Sequence, residues 1–86
     1  MRTINFTKTA FKEYNSWRIE NRKLQDRIAD LIEDIIRHPY EGIGKPEPLR
    51  HRLRGFWSRR IGEEHRLVYE VTDVLLCHFV QIYKKL

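Results

Sequence analysis

The sequence has 86 residues, 41% of them hydrophobic and 12% aromatic, with four Gly and three Pro. That composition gives material for one small core and excludes a disordered or collagen-like chain. Seventeen Lys and Arg against twelve Asp and Glu leave a formal charge of +5, and eleven of those cations are arginines. The planar guanidinium fork suits phosphate, so a polyanionic partner is favoured. A single cysteine, Cys77, excludes an internal disulfide and thiolate-rich metal sites, and a reducing cytoplasm is the expected location. Met1 to Phe6 carry no apolar leader pattern, and no apolar run approaches the ~18–20 residues a membrane helix needs.

Ile4 and Phe6, two apart and just ahead of Thr7, predict a short edge strand that ends at a helix N-cap. Phe11, Tyr14, Trp17 and Arg18 follow at three- and four-residue spacing, which predicts a helix over 8–20. Core packing is the better reading of that aromatic stripe than a stacking platform for bases. Asn21 is expected to cap between two helices. Leu24, Ile28, Leu31, Ile32 and Ile35 share one face of the second, opposite Asp26, Arg27, Asp30, Glu33, Asp34 and Arg37. Glu33 and Arg37 form a favourable i,i+4 pair. The Asp26–Asp30–Asp34 row has no His or Cys in step and reads as a solvated face. His38-Pro39 ends the helix, because the residue before proline is pushed out of the α region.

Residues 39–54 are expected as a loop. Beyond Gly55 the period changes to two, predicting strands over Phe56–Ile61, Arg66–Val71 and Leu75–Tyr83, with Cys77 a buried small hydrophobe in the last. The fold expected is α+β: one domain over residues 1–86, two N-terminal helices packed on one face of a mostly antiparallel, twisted sheet.

Between Lys45 and Arg66 lie Lys45, Arg50, Arg52, Arg54, Arg59, Arg60 and Arg66 against Glu47, Glu63 and Glu64, so this quarter of the chain holds +4 of the net charge. Phe56, Trp57 and Tyr69 are interleaved with these cations, as on a surface that grips phosphates and stacks on bases. Alternation assigns Trp57, Ile61, Leu67, Tyr69 and Val71 to the helix side. Phe56, Ser58, Arg60, Arg66, Val68 and Glu70 fall on the other. The plainer alternative is a solvated basic rim with its aromatics in the core.

Glu47 stands between Pro46 and Pro48, whose rings restrict the local backbone. A carboxylate amid guanidiniums is ordinarily a neutralising partner. One presented rigidly beside phosphate-binding arginines also suits RNA cleavage without metal. A base takes the 2′-OH proton, the oxygen attacks phosphorus, arginines stabilise the developing charge, and an acid protonates the leaving 5′-oxygen. His51 and His65 lack metal-ligand spacing, His38 and His78 are isolated, and nucleotide-binding glycine motifs are absent, so neither metal nor cofactor is expected. Direct DNA binding is the weaker reading, since neither helix has a basic face free of core duty.

Three blocks, Glu41-Gly42-Ile43-Gly44-Lys45-Pro46-Glu47-Pro48-Leu49, Gly55-Phe56-Trp57-Ser58-Arg59-Arg60-Ile61 and Glu64-His65-Arg66-Leu67-Val68-Tyr69, closely resemble the YoeB/Txe branch of the RelE superfamily. These are toxins of type II toxin–antitoxin pairs, and the likeness runs over essentially the whole chain. The resemblance implies a microbial-ribonuclease-like fold and a ribosome-dependent endoribonuclease that cuts mRNA in the A site. It also implies a homodimer, a cognate antitoxin whose disordered C-terminal segment folds over the toxin, and promoter DNA bound only through the antitoxin complex.

Carried over by position, Glu47 falls on the family's general base and Arg66 on its transition-state arginine. Arg60 matches a phosphate-binding cation of the wider superfamily, with Lys45 and Arg59 beside it. Arg50 falls where YoeB-like toxins have lysine, which keeps charge but changes geometry. Those toxins end in a His-Tyr pair whose histidine is the general acid, whereas this chain ends Gln81-Ile82-Tyr83-Lys84-Lys85-Leu86. With a one-residue gap near Asp73–Val74, Tyr83 takes the histidine's place, and cations around it could lower its pKa. The alternative is that Tyr83 is a strand-end aromatic and the protein a weakened, basic binding module that blocks translation or only sequesters its antitoxin.

Overall fold

Two polar side chains set the helical half. The Thr7 hydroxyl accepts from the Ala10 N–H at 3.0 Å and starts α1, Lys8–Glu20. Asn21 serves both helices: its N–H donates to Trp17 O at 2.9 Å, and its Oδ1 accepts from the Leu24 N–H at 3.2 Å to begin α2, Arg22–Arg37. Each contact satisfies a terminal group that the helix leaves unpaired. The buried Gln25 donates from Nε2 to Tyr14 O at 2.9 Å and ties the helices together. The computed structural model describes residues 4–63, 65–71 and, as backbone, 78–84.

The sheet has five strands in the order β1-β5-β4-β3-β2. β1 is Ile4–Phe6, β2 Glu47–Pro48, β3 Phe56–Arg60, β4 His65–Val71 and β5 His78–Lys84. Only β1 against β5 is parallel, and the other pairings are antiparallel. The expected α+β architecture is therefore present, with one correction. The stretch 39–54, expected as loop, contributes edge strand β2 and a short 3₁₀ turn at His51–Leu53. A proline-flanked segment can pair here because an edge strand needs ladder bonds on one side only. The positions of Cys77 and the 72–73 connection lie outside the described residues.

Ile28, Leu31 and Ile35 of α2 are sealed against Ile61, Leu67 and Tyr69, with Tyr14, Trp17, Leu24 and Trp57 packed around them. Burying an aliphatic side chain of this size contributes about 1.5–3 kcal/mol. The aromatic stripe of α1 packs on this core through Tyr14 and Trp17, as expected. It departs from expectation at Phe11, which is 54% exposed, while Ala10 is the buried residue of the helix. The Phe11 ring lies 6.1 Å from that of Phe6 on edge strand β1. Tyr14 stacks on Phe6 at 5.8 Å, and Trp17 meets His65 edge-on at 4.7 Å.

Candidate active site

β3 organises two structures, one on each face. Trp57 and Ile61 turn toward the helices, and alternation carries Arg59 with them. Arg59 is fully buried. Its Nε donates to the Tyr69 hydroxyl at 3.1 Å, Nη1 donates to Asp34 Oδ2 and Ile43 O, and Nη2 donates to His38 O and Glu41 O. All five guanidinium N–H groups are thereby used. Tyr69 completes the set by donating its own O–H to Pro39 O at 2.7 Å. The expectation that Arg59 binds RNA phosphate is therefore corrected: this side chain is closed to solvent and committed to the segment that follows α2.

Asp34 is corrected with it, from solvated carboxylate to partner of Arg59. The Arg59 hydrogen bond, joined by the Ile43 N–H at 3.1 Å, outweighs desolvation and holds its carboxyl below the ordinary carboxylate value. Burial pushes the Tyr69 hydroxyl above the ordinary phenol value despite Arg59. Two glycines let the chain wrap this guanidinium. Gly42 has φ +123°, and a Cβ there would sit 2.0 Å from Asp34 Oδ2. Gly44 has φ +78°, with Leu31 Cδ2 at 2.7 Å from the same construction. Neither backbone angle nor space admits a side chain. Gly44 O then accepts from the Arg60 N–H at 2.7 Å, which delivers the chain through Lys45 and Pro46 onto the edge of β3 as Glu47.

On the opposite face Glu47 is registered against Ser58, and Ser58 against Val68. Arg66, two residues from Val68 on β4, donates from Nη1 to Glu47 Oε1 at 2.9 Å and to Ser58 Oγ at 3.3 Å. Ser58 is fully buried, and the Arg66 and Glu47 side chains are 25% and 56% exposed. A buried hydroxyl thus steadies the inner side of a guanidinium that meets the carboxylate in solvent's reach. Arg60 is exposed and lies directly opposite Arg66 across β3 and β4. The register of β4 and β5 sets Tyr83 directly opposite Arg66 on the other side. Lys45 is exposed at a positive φ of 51°, and the exposed Arg50 stands at the start of the 3₁₀ turn, three residues past Glu47.

The structure therefore brings Glu47 and Arg66 into contact and places Arg60 and Tyr83 in line with Arg66 by register. Ser58 was legible only as an open-face position, and its contact with Arg66 had no sequence signal. Among the described residues no three His, Cys, Asp or Glu side chains converge on a point that could hold a metal ion. No helix of the described residues is long and apolar enough to cross a membrane.

Two helices on a mostly antiparallel sheet, the fold of a solved YoeB/ParE toxin, place the chain in the class of RelE-like toxins. The sequence model of YoeB-like toxins of bacterial type II toxin–antitoxin systems matches residues 6–84. The chain is 52% identical to the toxin YoeB of Escherichia coli K12 over 68 residues, which is 79% of this chain and 81% of that protein. Among solved structures it resembles the YoeB/ParE toxin from Agrobacterium tumefaciens, with TM-score 0.92, 35% identity and coverage of 98% and 99% of the two chains. It also resembles the toxin in the heterotetrameric YoeB–YefM toxin–antitoxin complex from Staphylococcus aureus, with TM-score 0.85, 38% identity and coverage of 100% and 97%. The chain belongs to the family of YoeB-like toxins of bacterial type II toxin–antitoxin systems.

Proposed function

We propose that this toxin is a ribosome-dependent endoribonuclease that cuts mRNA in the A site by acid–base chemistry requiring no cofactor. The observation that carries the reading is the 2.9 Å contact between Glu47 and Arg66, made across the open face from β2 to β4. A scissile phosphate entering between them would meet a carboxylate on one side and a guanidinium on the other. Glu47 takes the 2′-OH proton, and the oxygen attacks the adjacent phosphorus. Arg66 stabilises the charge that develops on the phosphoryl oxygens, and Tyr83 protonates the 5′-oxygen as it leaves. The products are a 2′,3′-cyclic phosphate and a 5′-hydroxyl. Arg60, Arg50 and Lys45, all exposed, hold flanking phosphates.

Growth arrest on expression without antitoxin, abolished by Glu47→Ala and by Arg66→Ala, is the expected result. Arrest that persists in both variants would contradict the assignment. The cytoplasm is the site of action, because ribosomes and message are there. A solved YoeB dimer and YoeB–YefM complexes support a homodimer and a cognate antitoxin for this chain. In this reading the antitoxin covers the basic face, and promoter DNA is engaged only through the antitoxin complex.

A second reading rests on Tyr83 itself. A phenol with an unperturbed pKa of ~10 is a poor acid at neutral pH. A toxin so altered would block translation by binding, or only sequester its antitoxin. Mapping of 5′ ends on cellular mRNA separates the two, since a binder leaves no new ends.

A further inference from the structure

Beyond Arg50, the cleavage centre leaves unused a strongly basic exposed feature, the connection between β2 and β3. Between Glu47 and Glu63 the sequence contains no carboxylate. Arg50, His51, Arg52 and Arg54 are all exposed there, and none of these arginines has an ion-pair partner among the described residues. The segment is pre-shaped. The Leu49 N–H donates to Phe56 O at 2.8 Å and closes the hairpin, while the Leu53 and Arg54 N–H groups donate to Arg50 O and His51 O at 3.1 Å. His51 adopts φ +58°, a left-handed conformation that non-glycine residues visit rarely, and the following Gly55 has φ +99°. Three exposed arginines at alternate positions of one short tip, in a stretch of sequence without a carboxylate, favour a polyanionic partner.

We propose that this tip docks on the phosphate backbone of folded RNA, with Arg52 and Arg54 as its principal contacts, outside the Glu47–Arg66 centre. The inference rests on the RNA reading of that centre. An acidic protein segment is the less favoured occupant. Protein interfaces are anchored by buried apolar and aromatic side chains, and between residues 50 and 55 the tip offers only Leu53, 37% exposed. A 3₁₀ turn of three residues per turn fans successive side chains around its axis. That spread suits phosphates on two walls of an A-form groove, which proteins recognise by shape and backbone. Arginine forks bind such oxygens bidentately.

The test uses the full chain carrying Glu47→Gln, so that binding is read without cleavage, and a synthetic RNA hairpin as probe. Arg52→Gln together with Arg54→Gln removes two phosphate contacts. The slope of log affinity against log salt should fall by about two, and affinity by about 30-fold near 0.15 M salt. Both sites are exposed, so thermal unfolding should be unchanged. A double variant that binds the hairpin like its parent overturns the inference alone. So does an equal loss on a single-stranded oligonucleotide, or a loss confined to a polyglutamate peptide. A parent that binds no RNA at all overturns this inference and the RNA reading of the centre together.

Discussion

Replacing Arg59 with Met tests the internal architecture most severely. The substitution keeps bulk and removes five donors. It takes the arginine partner from the Asp34 carboxylate, the Tyr69 hydroxyl and the carbonyls of His38, Glu41 and Ile43. Arg59 is fully buried and the Asp34 side chain 22% exposed, so little water can replace what is lost. Breaking a buried pair by deleting one partner costs about 3–5 kcal/mol, a large share of the ~5–15 kcal/mol that stabilises a small domain. At ~4–8 °C per kcal/mol for a chain of this size, the midpoint of thermal unfolding should fall by roughly 12–40 °C. Arg59→Lys should rescue little, because one ammonium cannot reach acceptors spread around a planar fork. Calorimetry or circular dichroism reads the result. A midpoint within about 4 °C of wild type for Arg59→Met would refute the claim that this guanidinium organises the segment from His38 to Gly44.

Gly42→Ala should destabilise by about 1–3 kcal/mol, measured by denaturant unfolding, since its methyl group would meet Asp34 Oδ2 at a strained φ. Asp34 has a folded-state pKa below its unfolded value, so its stabilisation is fully present above the unfolded pKa near ~4. That stabilisation is lost as pH falls through the folded pKa. Unfolding followed from pH 7 to pH 2 should show this acid loss in the wild type and a shallower one in Asp34→Asn. Tyr83→Phe should lower cleavage by ~10²–10⁴-fold if the phenol is the general acid. Tyr83→His should then restore cleavage at neutral pH, read by single-turnover kinetics on ribosome-bound message.

Local chemistry made much of the fold legible. Thr7 and Asn21 announce helix starts by side-chain type alone, and the spacing of Ile28, Leu31 and Ile35 identifies the buried face of α2. β2 was missed because a two-residue strand, Glu47 and Pro48, carries no periodicity, and its pairing with β3 depends on a loop wrapped around Arg59. The misreading of Arg59 has a related cause. Three of its acceptors are backbone carbonyls, which no side-chain pattern reveals. A signal was nevertheless there: the alternation that turns Trp57 and Ile61 inward turns Arg59 inward too, and an arginine at a core position requires partners. Phe11 looked like core because periodicity marks a helix face without showing where the sheet beneath it ends. Glu47 and Arg66, by contrast, were named in sequence as an acid and a cation, and the register of β2, β3 and β4 brings them together.

Analysis of RNA ends tests the central claim most directly. Ribosome-bound message incubated with the wild-type toxin should yield fragments ending in 2′,3′-cyclic phosphate, paired with 5′-hydroxyl ends. Glu47→Gln and Arg66→Ala should each slow their formation by at least ~100-fold while the protein stays folded. Intact message with the wild type, or cleavage that continues undiminished in both variants, would contradict the account.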